Sequence, residues 1–96
     1  MTWIKTIPPA EADSKLRGCY SDVYSLYPAE YRGEVSALTR HDGTSDSIVA
    51  AHSLIPEALR HSMSAYGVLL SPQLPLSRRQ HEMIATLVSA LNRCFY

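Results

Sequence analysis

An all-α domain of about four helices is the fold this sequence predicts, and three observations predict it. Apolar residues recur at helical spacing in three separate stretches, marking one buried face each. Each stretch carries a start or stop signal: Pro28 behind the first, Pro56 at the head of the second, Ser77 with Gln80 at the head of the third. No run alternates apolar and polar residues as a half-buried strand does, and no internal repeat is visible.

The elements follow in order. Residues 1–7 read as a short extended arm anchored by Trp3, Ile4 and Ile7, and closed by Pro8 and Pro9, which cannot donate to a helix or sheet. The first helix is expected over residues 10–27, because Leu16, Tyr20, Val23 and Tyr27 share a face; Gly18 weakens it and Pro28 ends it. Cys19 lies beside that stripe and reads as a small, half-buried apolar residue rather than a reactive thiol. Residues 28–44 show no clean period. Gly33 and the Asp42-Gly43 turn signal punctuate them, Val35 and Leu38 offer anchors to the core, and the stretch reads as a loop with room for one helical turn.

A short second helix is expected over 45–53, capped by Thr44 or Ser45, favoured by Asp46 at its positive end, and buried through Ile48, Val49 and Ala51. The third, over 56–71, starts with Pro56 in its first turn and Glu57 at its dipole's positive end, and packs through Leu59, Met63, Tyr66 and Leu70. Residues 71–75 form a rigid, proline-bounded connector. The fourth helix, over 77–93, opens with a Ser77–Gln80 capping box and carries a stripe of Ile84, Val88 and Leu91, widened by Met83 and Leu87, that is expected to be buried. Glu82, Thr86 and Ser89 form its neighbouring polar face; Ala85, Ser89 and Asn92 form a small one.

Composition bounds the function. Ninety-six residues make one domain with a modest core. Nine basic and nine acidic side chains balance, which removes the electrostatic reason to expect nucleic acid or an anionic membrane as partner. No apolar run approaches the roughly 20 residues of a membrane span, and the N-terminus lacks the layout of a signal peptide. Two distant cysteines, Cys19 and Cys94, suggest no disulfide framework, and a cytoplasmic setting is expected. His41, His52, His61 and His81 never stand at i, i+4, and no cysteine or carboxylate spacing completes a zinc signature, so neither metal nor cofactor is expected.

The motif-bearing stretch is residues 76–96. Leu76-Ser77-Arg78-Arg79, Glu82-Met83-Ile84-Ala85, Val88-Ser89-Ala90-Leu91-Asn92 and Cys94-Phe95-Tyr96 together resemble the carboxymuconolactone decarboxylase and alkylhydroperoxidase D-like superfamily, in its peroxidase-related branch. The similarity extends upstream through the segment from His52 to Arg60 and through Trp3-Ile4 and Pro8-Pro9. Its specific part is a glutamate twelve positions before the first cysteine of a Cys-x-x-Cys pair, the interval kept by Glu82 and Cys94. The chain departs from the pattern by stopping at Tyr96, before the second cysteine and the histidine a turn beyond, so the resemblance is to the N-terminal part of such a domain.

The resemblance implies a thiol cycle. One thiolate attacks a peroxide oxygen and becomes a sulfenic acid, the neighbouring cysteine condenses with it to a disulfide, and a dithiol reductant resets the pair. By that likeness Glu82 is the proton relay, Cys94 the resolving thiol and Tyr96 a side chain lining the substrate. Without the likeness, Glu82 is a polar-face residue near a helix start and Cys94 an exposed thiol at a chain end. This chain is then expected to be inactive alone, since the attacking thiol is missing.

The same residues bear on other classes. The segment from Leu76 to Glu82 followed by an amphipathic helix is also similar to the entry of a response-regulator helix-turn-helix. That motif needs a glycine turn and a recognition helix, whereas Ala90-Leu91-Asn92-Arg93 occupies the turn position. Zero net charge argues against it as well. Lactone decarboxylation, the founding activity of the superfamily, does not rely on the cysteine pair. A non-catalytic helical interaction module remains, and the absence of the family's partner helices, which would leave their apolar contact surface open, predicts self-association as a homo-oligomer, most simply a symmetric dimer packing the fourth helix against its mate.

Overall fold

The computed structural model describes residues 3–32 and 48–94, and among them every regular element is helical. Four α-helices, α1 (Ser14–Ser25), α2 (Ile48–Ala51), α3 (Pro56–Leu69) and α4 (Arg78–Leu91), are accompanied by 3-10 turns at Pro9–Glu11, ahead of α1, and at Ala29–Arg32, after it. The all-α fold expected from periodicity is therefore the observed one.

The first helix starts later than its stripe suggested. Pro8 and Pro9 lead into the 3-10 turn, where the amides of Glu11 and Ala12 donate to the carbonyls of Pro8 and Pro9. Asp13 then caps α1: its carboxylate accepts from the Leu16 amide at 2.8 Å, satisfying one of the donors that a helix start leaves open. From there Leu16, Cys19, Tyr20 and Val23 all turn inward. Cys19 is fully buried, deeper than its place beside the stripe indicated.

The core is built from α1, α2 and α3. Ala12, Leu16, Cys19, Tyr20, Val23, Val49 and Leu59 form it, with Ile7, Tyr27 and Met63 packed on its edge. Packing is chiefly of α1 against α3, with α2 lying on α3. Pro56 at the start of α3 supplies a preset φ where no amide donor is needed. Gly67 allows the end of α1 to pass closely, beside Leu26 and Tyr27. Two ion pairs, Lys15–Glu57 at 3.2 Å and Arg60–Asp22 at 3.1 Å, tie the outer edges of α1 and α3. Both are solvent-exposed, so they orient more than they stabilise.

Three expectations need correction. Trp3 is almost wholly exposed and Ile4 half-exposed, so neither anchors the N-terminal arm. The hold on the arm falls on Ile7, through its side chain at the core edge and through its backbone. Its amide donates to Ser53 Oγ at 2.8 Å, and its carbonyl accepts from the Tyr20 hydroxyl at 2.6 Å. In α2 only Val49 is buried while Ile48 faces out, because a helix of one turn has no full face to turn inward. The third correction is the largest: no residue of α4 is buried. Met83, Ile84, Leu87, Val88 and Leu91 are each half to three-quarters exposed, since no other helix among the described residues lies over them.

The expected starts of the second helix at Thr44, Ser45 and Asp46, and the anchors Val35 and Leu38, lie outside the described residues. Among the described residues of the expected loop, a 3-10 turn appears at Ala29–Arg32.

Candidate functional site

The sequence placed the chemistry on α4, and its local geometry is built by its two ends. At the start the capping box forms in full: Gln80 Nα donates to Ser77 Oγ at 3.3 Å, and Ser77 Nα donates to Gln80 Oε1 at 2.9 Å. At the end the chain reverses through a Schellman turn. The Arg93 amide donates to the Ala90 carbonyl at 3.1 Å and the Cys94 amide to the Ser89 carbonyl at 2.9 Å. Such a turn requires a left-handed residue at its bend, a place usually held by glycine; here Arg93 takes it, with φ 51°.

Glu82 lies one turn into α4 on an exposed face, where its carboxylate accepts from Arg78 Nε at 3.0 Å. With Arg79, Met83, Thr86, Leu87 and Ala90 it borders a shallow, open and mainly apolar surface. Cys94 is exposed just past the Schellman turn. Nine residues of helix separate Glu82 from Leu91, about 14 Å at the usual rise, so the carboxylate and the thiol stand at opposite ends of α4. The structure does not bring them together. Tyr96, the expected substrate-lining residue, lies outside the described residues.

The other thiol is no nearer. Cys19 is sealed in the α1 face of the core, and neither cysteine is in a disulfide. Two described histidines have local partners: His52 Nδ1 donates to the Ile48 carbonyl at 2.7 Å, closing the short α2, and His61 lies 3.7 Å from Glu57. His81 shares a small crevice with Pro28, Glu30, Leu70, Pro72 and Arg78, where the first turn of α4 meets the rest of the chain. His41 lies outside the described residues. Among the described residues no group of three or more histidine, cysteine or carboxylate side chains could hold a metal, and no helix is long and apolar enough to cross a membrane.

Sequence reasoning missed a run of aromatic rings. Tyr20 stacks on Tyr24 at 6.1 Å, Tyr24 meets Tyr27 edge-on at 5.7 Å, and Tyr27 meets Tyr66 edge-on at 5.8 Å. The signal was present, because Tyr20, Tyr24 and Tyr27 stand at i, i+4 and i+7 and fall on neighbouring turns. Burial pushes the Tyr20 hydroxyl above its ordinary pKa, against the opposing effect of its hydrogen bond with Ser53. Burial also raises Tyr27, and the nearby Tyr66 and Tyr24 add to it. These rings pack α1 on α3 and border no pocket described above.

No family model matches the chain, and neither a curated protein nor a solved structure matches it. The functional argument therefore rests on the residues and their geometry.

Proposed function

We propose that this chain is a peroxidase-related, alkylhydroperoxidase-like thiol module in which α4 is the chemical scaffold. The reading draws on the Glu82–Cys94 interval, and one observation favours it: α4 ends in a hydrogen-bonded reversal that leaves Cys94 exposed at the bend. In the cycle a thiolate displaces alkoxide from the hydroperoxide and becomes a sulfenic acid. A second thiol condenses with that sulfenic acid, releasing water and forming a disulfide, and an external dithiol takes over the oxidation. Cys94 is the resolving thiol and Glu82 carries the proton.

The geometry limits what this chain does by itself. Cys19 is buried in the core and cannot serve as the second thiol, and Glu82 is about three turns of helix from Cys94. The 96 residues alone are expected to show little or no turnover of organic hydroperoxide with a dithiol. A variant carrying a cysteine directly after Tyr96 and a histidine one turn further is expected to turn over, and to lose that activity with Glu82→Gln or with Cys94→Ser. An extended variant that stays inactive would overturn the reading. Robust turnover by the 96 residues that vanishes with Cys94→Ser would reassign Cys94 as the attacking thiol.

A second reading is favoured by a separate observation, the exposure of the α4 stripe, each of whose side chains is half to three-quarters open. Five large apolar side chains on one helix face form a patch that soluble monomers seldom leave open. On this reading the chain is a helical interaction module that self-associates into a dimer or higher homo-oligomer.

A further inference from the structure

The patch on α4 also carries information about its occupant. We propose that α4 pairs antiparallel with α4 of a second copy of this chain, with Leu87 at the two-fold axis. The proposal rests on reading α4 as a docking surface, and it adds the partner and the geometry.

The stripe is available and symmetric. His81, Ser89 and Arg78 are the half-buried positions of α4 and mark the side turned toward the rest of the chain. Met83, Leu87 and Leu91 lie on the other side, Ile84 and Val88 on the flank between the two, and Leu87 stands midway between Met83 and Leu91. A two-fold axis at that point lays each Met83 against the partner's Leu91, so one patch covers its own copy.

Charge selects the direction. The first turn of α4 holds Arg78 and Arg79 with no acidic residue, and the last turn holds no basic one. Within a single helix this opposes the dipole, whose positive end attracts acids and whose negative end attracts bases. In an antiparallel pair Arg79, on the edge of the stripe, falls about one turn beyond the partner's Leu91, on the side where the partner's helix ends in carbonyls. Parallel pairing would instead set Arg79 against Arg79 and align the two dipoles side by side.

The area fits a weak dimer. The five exposed side chains offer roughly 300 Å² of apolar surface per copy, taking the area implied by their usual transfer energies. The flanking Arg79, Gln80, Thr86 and Ala90 bring the face to about 500 Å², the lower bound for a specific interface. Association in the micromolar range or weaker is therefore expected. The geometry also separates the thiols: seven residues on each side of the axis place the two Cys94 residues about 20 Å apart, well beyond the roughly 7 Å between Cα atoms that a disulfide can bridge.

Sedimentation velocity on the chain from about 1 to 200 µM tests the pairing. The expected result is a monomer–dimer equilibrium that Leu87→Asp weakens more than tenfold. The denaturation midpoint of the core should be kept in that variant, because no α4 side chain contributes to the core. Oxidation of a Leu87→Cys, Cys94→Ser variant should give a covalent dimer, and oxidation of the unaltered chain should not. A monomer throughout the range overturns the pairing and the docking reading together. A dimer indifferent to Leu87→Asp, or one that links through Cys94, overturns the pairing alone and leaves self-association standing. A chain that stays monomeric yet binds vesicles of mixed anionic and zwitterionic phospholipid also overturns it, in favour of a lipid surface.

Discussion

Gly18 and Gly67 both sit inside helices, where glycine costs up to about 1 kcal/mol relative to alanine, yet their surroundings differ. A Cβ on Gly18 would meet nothing within 4 Å, whereas one on Gly67 would lie 2.8 Å from the Leu26 Cβ. Leu26 cannot move its Cβ without moving the end of α1, so crowding there costs about 1–3 kcal/mol. Gly18→Ala is expected to raise the denaturation midpoint, and Gly67→Ala to lower it despite the same gain in helix propensity. Two upward shifts would mean that α1 yields where it meets α3. Tyr20 makes a pH-dependent contribution at the same scale. Burial raises its pKa above 10.0, so the fold favours the neutral hydroxyl that donates to the Ile7 carbonyl. That stabilisation is complete below pH 10.0 and is lost as the pH climbs through the raised folded value. Tyr20→Phe should cost about 1 kcal/mol at neutral pH, the worth of one hydrogen bond. It should also make the loss of stability above pH 10 shallower, as read by urea midpoints across that range, while Tyr27, shifted in the same direction, keeps part of the slope.

Helix ends show where the sequence was readable and where it was not. The Ser77–Gln80 box was legible because both partners are named by type and spacing, and both hydrogen bonds form. Asp13 does not stand out, because the stripe through Leu16 and Tyr20 extends back to residue 10 without a break. Periodicity marks a helix's face, and the cap alone marks its start. The proline pair instead drives a 3-10 turn, and the helix begins again after Asp13. At the far end of α4 no glycine signals the reversal, since Arg93 adopts the left-handed conformation itself. That conformation costs a non-glycine residue about 1–2 kcal/mol. Arg93→Gly is therefore expected to firm up the last turn of α4. The check is local, slower amide exchange at Asn92 and Cys94 by NMR, because α4 lies outside the core and global unfolding would barely register the change.

At the scale of the molecule the described residues divide unequally: the buried core residues among them fall between Ala12 and Leu59, and α4 contributes none. The number and order of helices could be read from the sequence, whereas the burial of α4 could not. A stripe states what a helix would bury and is silent about what lies opposite. The same gap separates the Glu82–Cys94 interval from a site, since nine positions of helix and the turn after it are a distance rather than a contact. This division sets the last prediction. A helix of 14 residues held by its caps is close to the roughly 12–15 residues below which isolated helices are marginal in water, so α4 should open without the core. In dilute solution its amides are expected to exchange orders of magnitude faster than those of α1 and α3. If a second copy covers the stripe, protection of α4 should climb with protein concentration while that of α1 and α3 stays level. Equal protection of all three helices at the lowest concentration would show that α4 belongs to the same cooperative unit as the core.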